Sequence, residues 1–217
     1  MAAQSQVTSP AMIEDLEPRQ LFAAALVGSQ LQIIGTHKND NIRVLVELKT
    51  RGDLTVVING VTQRIPLAGI QTIIVQAGLG NDRVVFEKGD STFQQPTTIY
   101  GSGGNDTIFG GSGRDRIYGG LGADFINGGG NRDIIYGEEG NDILDGDLGP
   151  DFLDGGMGND SLIGGLGIDA MYGQAGNDTI QGQDSTSDRL DGGLGDDFGF
   201  GDFSQDNFVG LEHTQKS

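Results

Sequence analysis

Residues 101–181 read GSGGNDTIF GGSGRDRIY GGLGADFIN GGGNRDIIY GEEGNDILD GDLGPDFLD GGMGNDSLI GGLGIDAMY GQAGNDTIQ, nine units of nine without a gap. A ten-residue unit, 182–191, follows with one insertion, then GGLGDDFGF and a worn GDFSQDNFV ending at Val209. Glycine holds position 1 and aspartate position 6 in all 12 units, and glycine holds position 4 in 9. Position 8 is Ile, Leu, Met or Phe in 11, the exception being Gly199. A period this strict separates the segment from glycine-rich disorder and from collagen.

The period dictates a coil. Positions 1 to 6 predict a turn in which glycine permits positive φ and leaves room for an ion against bare backbone. Positions 7 to 9 predict a short strand with position 8 inward and positions 7 and 9 outward. Two units per coil place residues i and i+18 on neighbouring strands, about 4.8 Å apart. Asp106 then stacks on Asp124, Asp142 and Asp160, and Asp115 on Asp133, Asp151 and Asp169, one column along each edge. Such columns repel by roughly 1 kcal/mol per neighbouring pair even in bulk water. An aspartate in one glycine-rich turn is ordinary turn chemistry; twelve in phase and short of counter-charge ask for a cation. Magnesium holds its waters and zinc prefers nitrogen or sulfur, whereas calcium takes roughly 6–8 oxygens from carboxylates and carbonyls. The candidate ligands are Asp106, Asp115, Asp124, Asp133, Asp142, Asp151, Asp160, Asp169, Asp178 and Asp197, with Asp82, Asp188 and Asp206 in less regular turns. Asn131 replaces a position-4 glycine but tolerates left-handed backbone, so Asp133 stays. The 12 units allow ten inter-turn sites, of which the inserted unit with Asp188 and the worn one with Ser204 and Asp206 compromise two. About eight calcium ions are expected. With one inward apolar residue per nine, the repeat is expected to be largely unfolded without calcium.

The unit resembles the hemolysin-type (RTX) nonapeptide GGxGxDxUx over residues 101–209. The resemblance implies an all-β chain, a right-handed parallel β-roll of stacked turns, calcium between those turns, and an extracellular, secreted or bacterial cell-surface location. Upstream, IEDLEPRQLF (13–22) is similar to the LEPR-type N-terminal motif of exported bacterial proteins, which implies export. RTX proteins usually leave through a one-step exporter that reads a C-terminal signal, and the polar residues 210–217 carry no recognisable one.

Composition narrows the classes. The chain of 217 residues has 39 glycines, no cysteine, no tryptophan and a formal net charge of −18. Residues 101–217 hold 22 acidic and 5 basic side chains, whereas residues 1–100 are nearly balanced at 9 and 8. That anionic surface argues against nucleic acid, and the missing cysteines exclude disulfides and thiolate chemistry. The longest apolar run, Leu21 to Val27, is too short to span a bilayer, so no transmembrane segment is expected. It also follows an acidic stretch, which fits an ordinary signal peptide poorly.

Residues 26–100 predict β-structure at Leu31–Ile34, Ile42–Leu48, Leu54–Ile58, Ile70–Gln76 and Arg83–Phe86, with a hairpin at Asn59-Gly60. Degenerate units lie at 77–85, which makes Asp82 a candidate ligand, and at 35–43, where Lys38 stands in a glycine position beside Asp40. This segment either caps the roll's first edge or forms a small separate β domain. The expected organisation is an export-type segment 1–25, the β segment 26–100, the roll 101–209 and a polar tail 210–217.

Catalytic signatures are missing. His37 and His213 are the only histidines and no HExxH is present, nor a GxSxG elbow, a GxGxxG or a P-loop. In serralysin-type proteases and lipases the repeat is an appended module, so no enzyme is expected here. Arg51-Gly52-Asp53, in an expected turn, carries no assignment. Tyr100, Tyr118, Tyr136 and Tyr172 lie multiples of 18 apart, interrupted by Asp154, and form an outward ladder with Ile134 and Phe152 on the same face. The ladder reads as cross-strand stacking or as a platform for an extracellular polysaccharide or a surface protein.

Overall fold

The computed structural model describes residues 23–47, 53–87, 94–182, 184, 186–202 and 206–216. The LEPR-type motif, Arg51, Gly52 and Ser204 lie outside these. The described residues form strands and no helix. The first third holds β1 (Ala23–Val27), β2 (Gln30–Ile34), β3 (Asn41–Glu47), β4 (Asp53–Ile58), β5 (Val61–Pro66), β6 (Thr72–Leu79) and β7 (Arg83–Phe86). Then follow β8 (Thr97–Gly103), β9 (Thr107–Gly111), β10 (Arg116–Leu121), β11 (Phe125–Gly130), β12 (Ile134–Glu139), β13 (Ile143–Leu148) and β14 (Phe152–Met157). The last are β15 (Ser161–Ile163), β16 (Ala170–Ala175), β17 (Thr179–Gly182), β18 (Arg189–Leu194), β19 (Phe198–Gly201), β20 (Asn207–Val209) and β21 (His213–Lys216).

Successive units alternate between two sheets. One sheet runs β1-β2-β6-β8-β10-β12-β14-β16-β18-β20, the other β21-β19-β17-β15-β13-β11-β9-β7-β3-β4-β5. Within the repeat every pairing is parallel, and outside the two pairings that span the inserted residue, residue i lies opposite i+18, as in Tyr100↔Tyr118↔Tyr136. The chain is therefore the all-β stack of parallel coils that the period implies. The inserted residue in 182–191 is absorbed by its turn: the register moves to i+19 (Met171↔Leu190) and parallel pairing continues.

Position 8 makes the core. Ile99, Ile108, Ile117, Ile126, Ile135, Leu144, Leu153, Leu162, Met171, Ile180 and Leu190 are all fully buried, stacked between the two sheets. Gly199 leaves a gap that Phe208 and Leu211 fill from the following coil. The expectation of three-residue strands is corrected. Most repeat strands continue through positions 1 to 3, with pairing resuming at position 2, as in Gly120↔Glu138. Positive φ at position 2 turns the chain while it still pairs, even where the residue is Ser102, Glu138, Asp147 or Gln174.

The first third is built differently. β1 pairs antiparallel with β2, and β3, β4 and β5 form an antiparallel meander, while β6 and β7 join the repeat strands in parallel. Asn59 and Gly60 both have positive φ, which is the backbone an Asn-Gly hairpin turn needs. Of the 26 buried apolar residues described, 15 lie in residues 23–87, so the apolar core is densest before the repeat begins.

Candidate metal centre

Each position-6 aspartate from Asp106 to Asp197 is turned inward by its turn and buried, and Asp206 in the worn last unit is half-buried. In one column the backbone N–H of each aspartate donates to Oδ1 of the aspartate one coil further on: Asp40 to Asp82, then Asp106, Asp124, Asp142, Asp160, Asp178 and Asp197, at 2.6–2.8 Å. The other column links Asp115, Asp133, Asp151, Asp169, Asp188 and Asp206 in the same way. It begins at Thr97, which donates through both N–H and Oγ1 to Asp115 Oδ1.

One carboxylate oxygen is thus spoken for and the other is not. Oδ2 of Asp82, Asp106, Asp115, Asp124, Asp133, Asp142, Asp151, Asp160, Asp169, Asp178, Asp188 and Asp197 is buried without a hydrogen-bond donor. An unsatisfied buried acceptor is costly and calls for a partner. Space for one is kept by the position-1 glycines. A methyl group on Gly101 would lie 2.4 Å from both Asp106 Oδ2 and the Gly119 carbonyl oxygen. On Gly137 it would lie 2.4 Å from Asp142 Oδ2 and 2.5 Å from the Gly155 carbonyl oxygen. At Gly101, Gly110, Gly119, Gly137, Gly146, Gly155, Gly173 and Gly192 an acidic oxygen and a carbonyl oxygen from the next coil therefore share the cradle. Among the described residues no three acidic or imidazole side chains converge on one point, so backbone carbonyls must complete any cation's shell. That donor set, all oxygen and part backbone, suits a hard cation.

The electrostatics agree. Burial lifts Asp133 to about 9 and Asp82, Asp115, Asp124 and Asp151 to about 7. It lifts Asp106, Asp142, Asp160, Asp169 and Asp178 to about 6. The backbone N–H on Oδ1 offsets part of this, and at Asp124 the carboxylates of Asp106 and Asp142 push the value up again. Without a cation the stack is short of positive charge.

A family model for the RTX calcium-binding nonapeptide repeat, in four copies, matches residues 97–126, 118–153, 136–171, 154–185, 163–198 and 172–208. Its matches span 97–208, more than half of the chain. The chain belongs to the RTX calcium-binding repeat family. No curated protein matches the chain. The RTX repeats account for the β-solenoid and for the stacked aspartates, and calcium binding is what this family does.

The two most degenerate turns are closed in another way. In 35–40 the Thr36 N–H donates to Asp40 Oδ2, and in 201–206 the Asp202 N–H donates to Asp206 Oδ2. There a hydrogen bond inside the turn takes the oxygen that the other turns leave open. Asn131, at φ 75°, adopts the left-handed backbone of the glycine it replaces and donates from Nδ2 to the Ser112 carbonyl.

Three features were missed in the sequence. Position-5 asparagines form a ladder along one edge: Oδ1 of Asn39, Asn81, Asn105, Asn141, Asn159 and Asn177 each accepts the backbone N–H of position 5 one coil on. The recurrence of Asn every 18 residues was the available signal. In the inserted turn burial pushes the Asp184 carboxyl up, but the Thr186 hydroxyl and the Gly167 and Thr186 N–H groups donate to it and hold it below the usual range. Residues 210–216 continue the roll: Glu212 accepts the Asp197 N–H and β21 pairs with β19. Nothing in the period marks that three-residue turn.

Proposed function

We propose that this chain is a secreted or cell-surface calcium-binding protein, not an enzyme, whose repeat folds when calcium fills the stacked turns. The observation that carries the reading is the row of buried, donorless Oδ2 atoms, most of them beside a carbonyl oxygen from the neighbouring coil. Asp106, Asp124, Asp142, Asp160, Asp178 and Asp197 would hold ions along one edge, and Asp115, Asp133, Asp151 and Asp169 along the other. Asp82 Oδ2 is likewise buried without a donor, but Ala77 stands where the other turns keep a cradle open with glycine, so Asp82 is a weaker candidate. Asp188 lies in the inserted turn, and Asp206, whose Oδ2 already accepts a hydrogen bond, is the weakest of the set. Bound calcium would neutralise the stacked carboxylates and supply the missing partner of each Oδ2. The backbone N–H groups on Oδ1 orient the carboxylates, and the glycines keep the cradles open. About eight ions remain the expected number, and roughly 10⁻⁴–10⁻³ M the affinity range of extracellular calcium modules. A chain of that affinity stays expanded in a low-calcium cytosol and folds outside.

Equilibrium dialysis with radioactive calcium tests the assignment. The whole chain should take up about eight ions, and Asp142→Asn should lose up to two because Asp142 serves the turns on both sides. Unchanged uptake in Asp142→Asn would contradict it.

The tyrosine face supports a second role, partner binding on a calcium-held scaffold. Tyr100, Tyr118 and Tyr136 stack at 5.0 and 5.1 Å, and Phe152 bridges the gap at Asp154 to reach Tyr172. Rings that lie over one another direct their faces along the roll and leave edges and hydroxyls outward. We therefore take cohesion between coils as the ladder's first role.

A further inference from the structure

Only 5 basic side chains lie in residues 101–217, and three of them, Arg114, Arg116 and Arg132, are in two successive coils. The fold brings them together. Arg114 and Arg132 are 18 residues apart, at the same turn position one coil on. Arg116 sits on the adjoining sheet between Thr98 and Ile134. All three line one cavity of about 280 Å³ with Thr98, Asp115 and Ile134.

What sets them apart is their lack of partners. Arg43 pairs with Glu87, Arg189 with Asp191, Arg83 lies over Phe109, and Arg64 is also engaged. Among the described residues the guanidinium groups of Arg114, Arg116 and Arg132 make no ion pair or hydrogen bond, although the segment around them is strongly acidic. The acids next to them in sequence are not available: Asp115 and Asp133 point inward, with Oδ1 on the N–H groups of Thr97 and Asp115. Three unpaired arginines at the rim of an acidic roll are a receptor for an oxyanion brought from outside, since the planar guanidinium matches carboxylate and phosphate in two-point contact.

The geometry points to an acidic glycan, a sugar bearing carboxylate or phosphate, as the ligand. A net charge of −18 repels dense polyanions such as nucleic acid or an anionic membrane. A glycan carries its charges singly on neutral rings. Two residues along the same strands from Arg116 and Ile134, about 7 Å away, stand Tyr118 and Tyr136, whose edges and hydroxyls suit a sugar. The coil repeat of about 4.8 Å is close to the length of one pyranose, so successive acidic sugars would meet Arg114 and Arg132 in step.

The test is calorimetric titration of the calcium-loaded whole chain with trigalacturonate, its methyl ester, glucose 6-phosphate and inorganic phosphate. Circular dichroism is recorded on the same samples and on each chain after EDTA treatment. Binding of trigalacturonate or glucose 6-phosphate is expected, with whichever binds identifying the anionic group. Affinity should weaken with salt and fall at least about tenfold in Arg114→Gln/Arg132→Gln and in Arg116→Gln, the loss of a charged hydrogen bond. Unchanged binding in either variant, equal binding of the methyl ester, equal binding of inorganic phosphate, or no binding of either acidic sugar would overturn the proposal. The dichroism keeps the calcium reading apart: a chain β-rich in EDTA that still loses its sugar in the arginine variants upholds this site and contradicts calcium-gated folding.

Discussion

At the scale of single residues the roll is governed by which backbone conformations and which carboxylate states each turn tolerates. Glu138 occupies position 2 at φ 77°, where a side chain is strained, and its charge adds to the repulsion at Asp124. Glu138→Gly should therefore stabilise the calcium-loaded protein by roughly 1 kcal/mol, seen as a higher melting temperature; a lower one would show that position 2 is not strained. The aspartates predict a pH dependence. Their folded values lie at about 6, 7 and, for Asp133, about 9, above the unfolded value of 3.8. A raised folded value means that the folded chain holds its protons more tightly. The resulting stabilisation is full below about pH 4 and is lost as pH climbs through about 6 and 7, with the part from Asp133 lost through about 9. The EDTA-treated chain should accordingly gain β-structure at pH 5 over pH 8, while calcium binding should weaken at pH 5 because bound protons must leave. Equal dichroism in EDTA at the two pH values would contradict the burial of these groups. The column of aspartates could be read from a side-chain period alone. Its hydrogen bonding could not, because each Oδ1 meets a backbone N–H whose direction depends on the folded turn.

At the scale of elements, the coils are joined by side-chain ladders with an 18-residue period. The asparagine ladder is interrupted at Ala123, whose N–H accepts no blame for the gap: it donates to Asn105, but Ala123 offers nothing to Asn141. Ala123→Asn should complete the ladder and raise the melting temperature of the calcium-loaded form, by an increment worth about 0.5–1 kcal/mol. No increase would show that the exposed ladder is passive. Strand positions in the first third were legible because alternation of Val, Ile and Leu is local, and the Asn59-Gly60 hairpin likewise. The extension of repeat strands into positions 1 to 3 was not, because glycine there signals a turn while parallel neighbours hold the backbone in register. The closing turn at Glu212 escaped for a related reason. Its fit is set by the open end of the preceding coil and by the gap at Gly199 that Leu211 enters.

At the scale of the molecule, the apolar core and the charge are distributed in opposite senses. Residues 23–87 hold more than half of the buried apolar side chains among the described residues, and both carboxylate oxygens of their Asp40 turn already accept hydrogen bonds, from the Thr36 N–H and from Asn59 Nδ2. The repeat has a single fully buried apolar side chain in most units and nearly all of the excess negative charge. The first third should therefore keep β-structure without calcium, and the repeat should not. The most direct measurement is circular dichroism of the EDTA-stripped whole chain during calcium titration at pH 8, with magnesium as control. A minor β signal in EDTA, rising cooperatively near millimolar calcium and not with magnesium, is the predicted result. A full β signal already present in EDTA and unmoved by calcium would contradict calcium-gated folding.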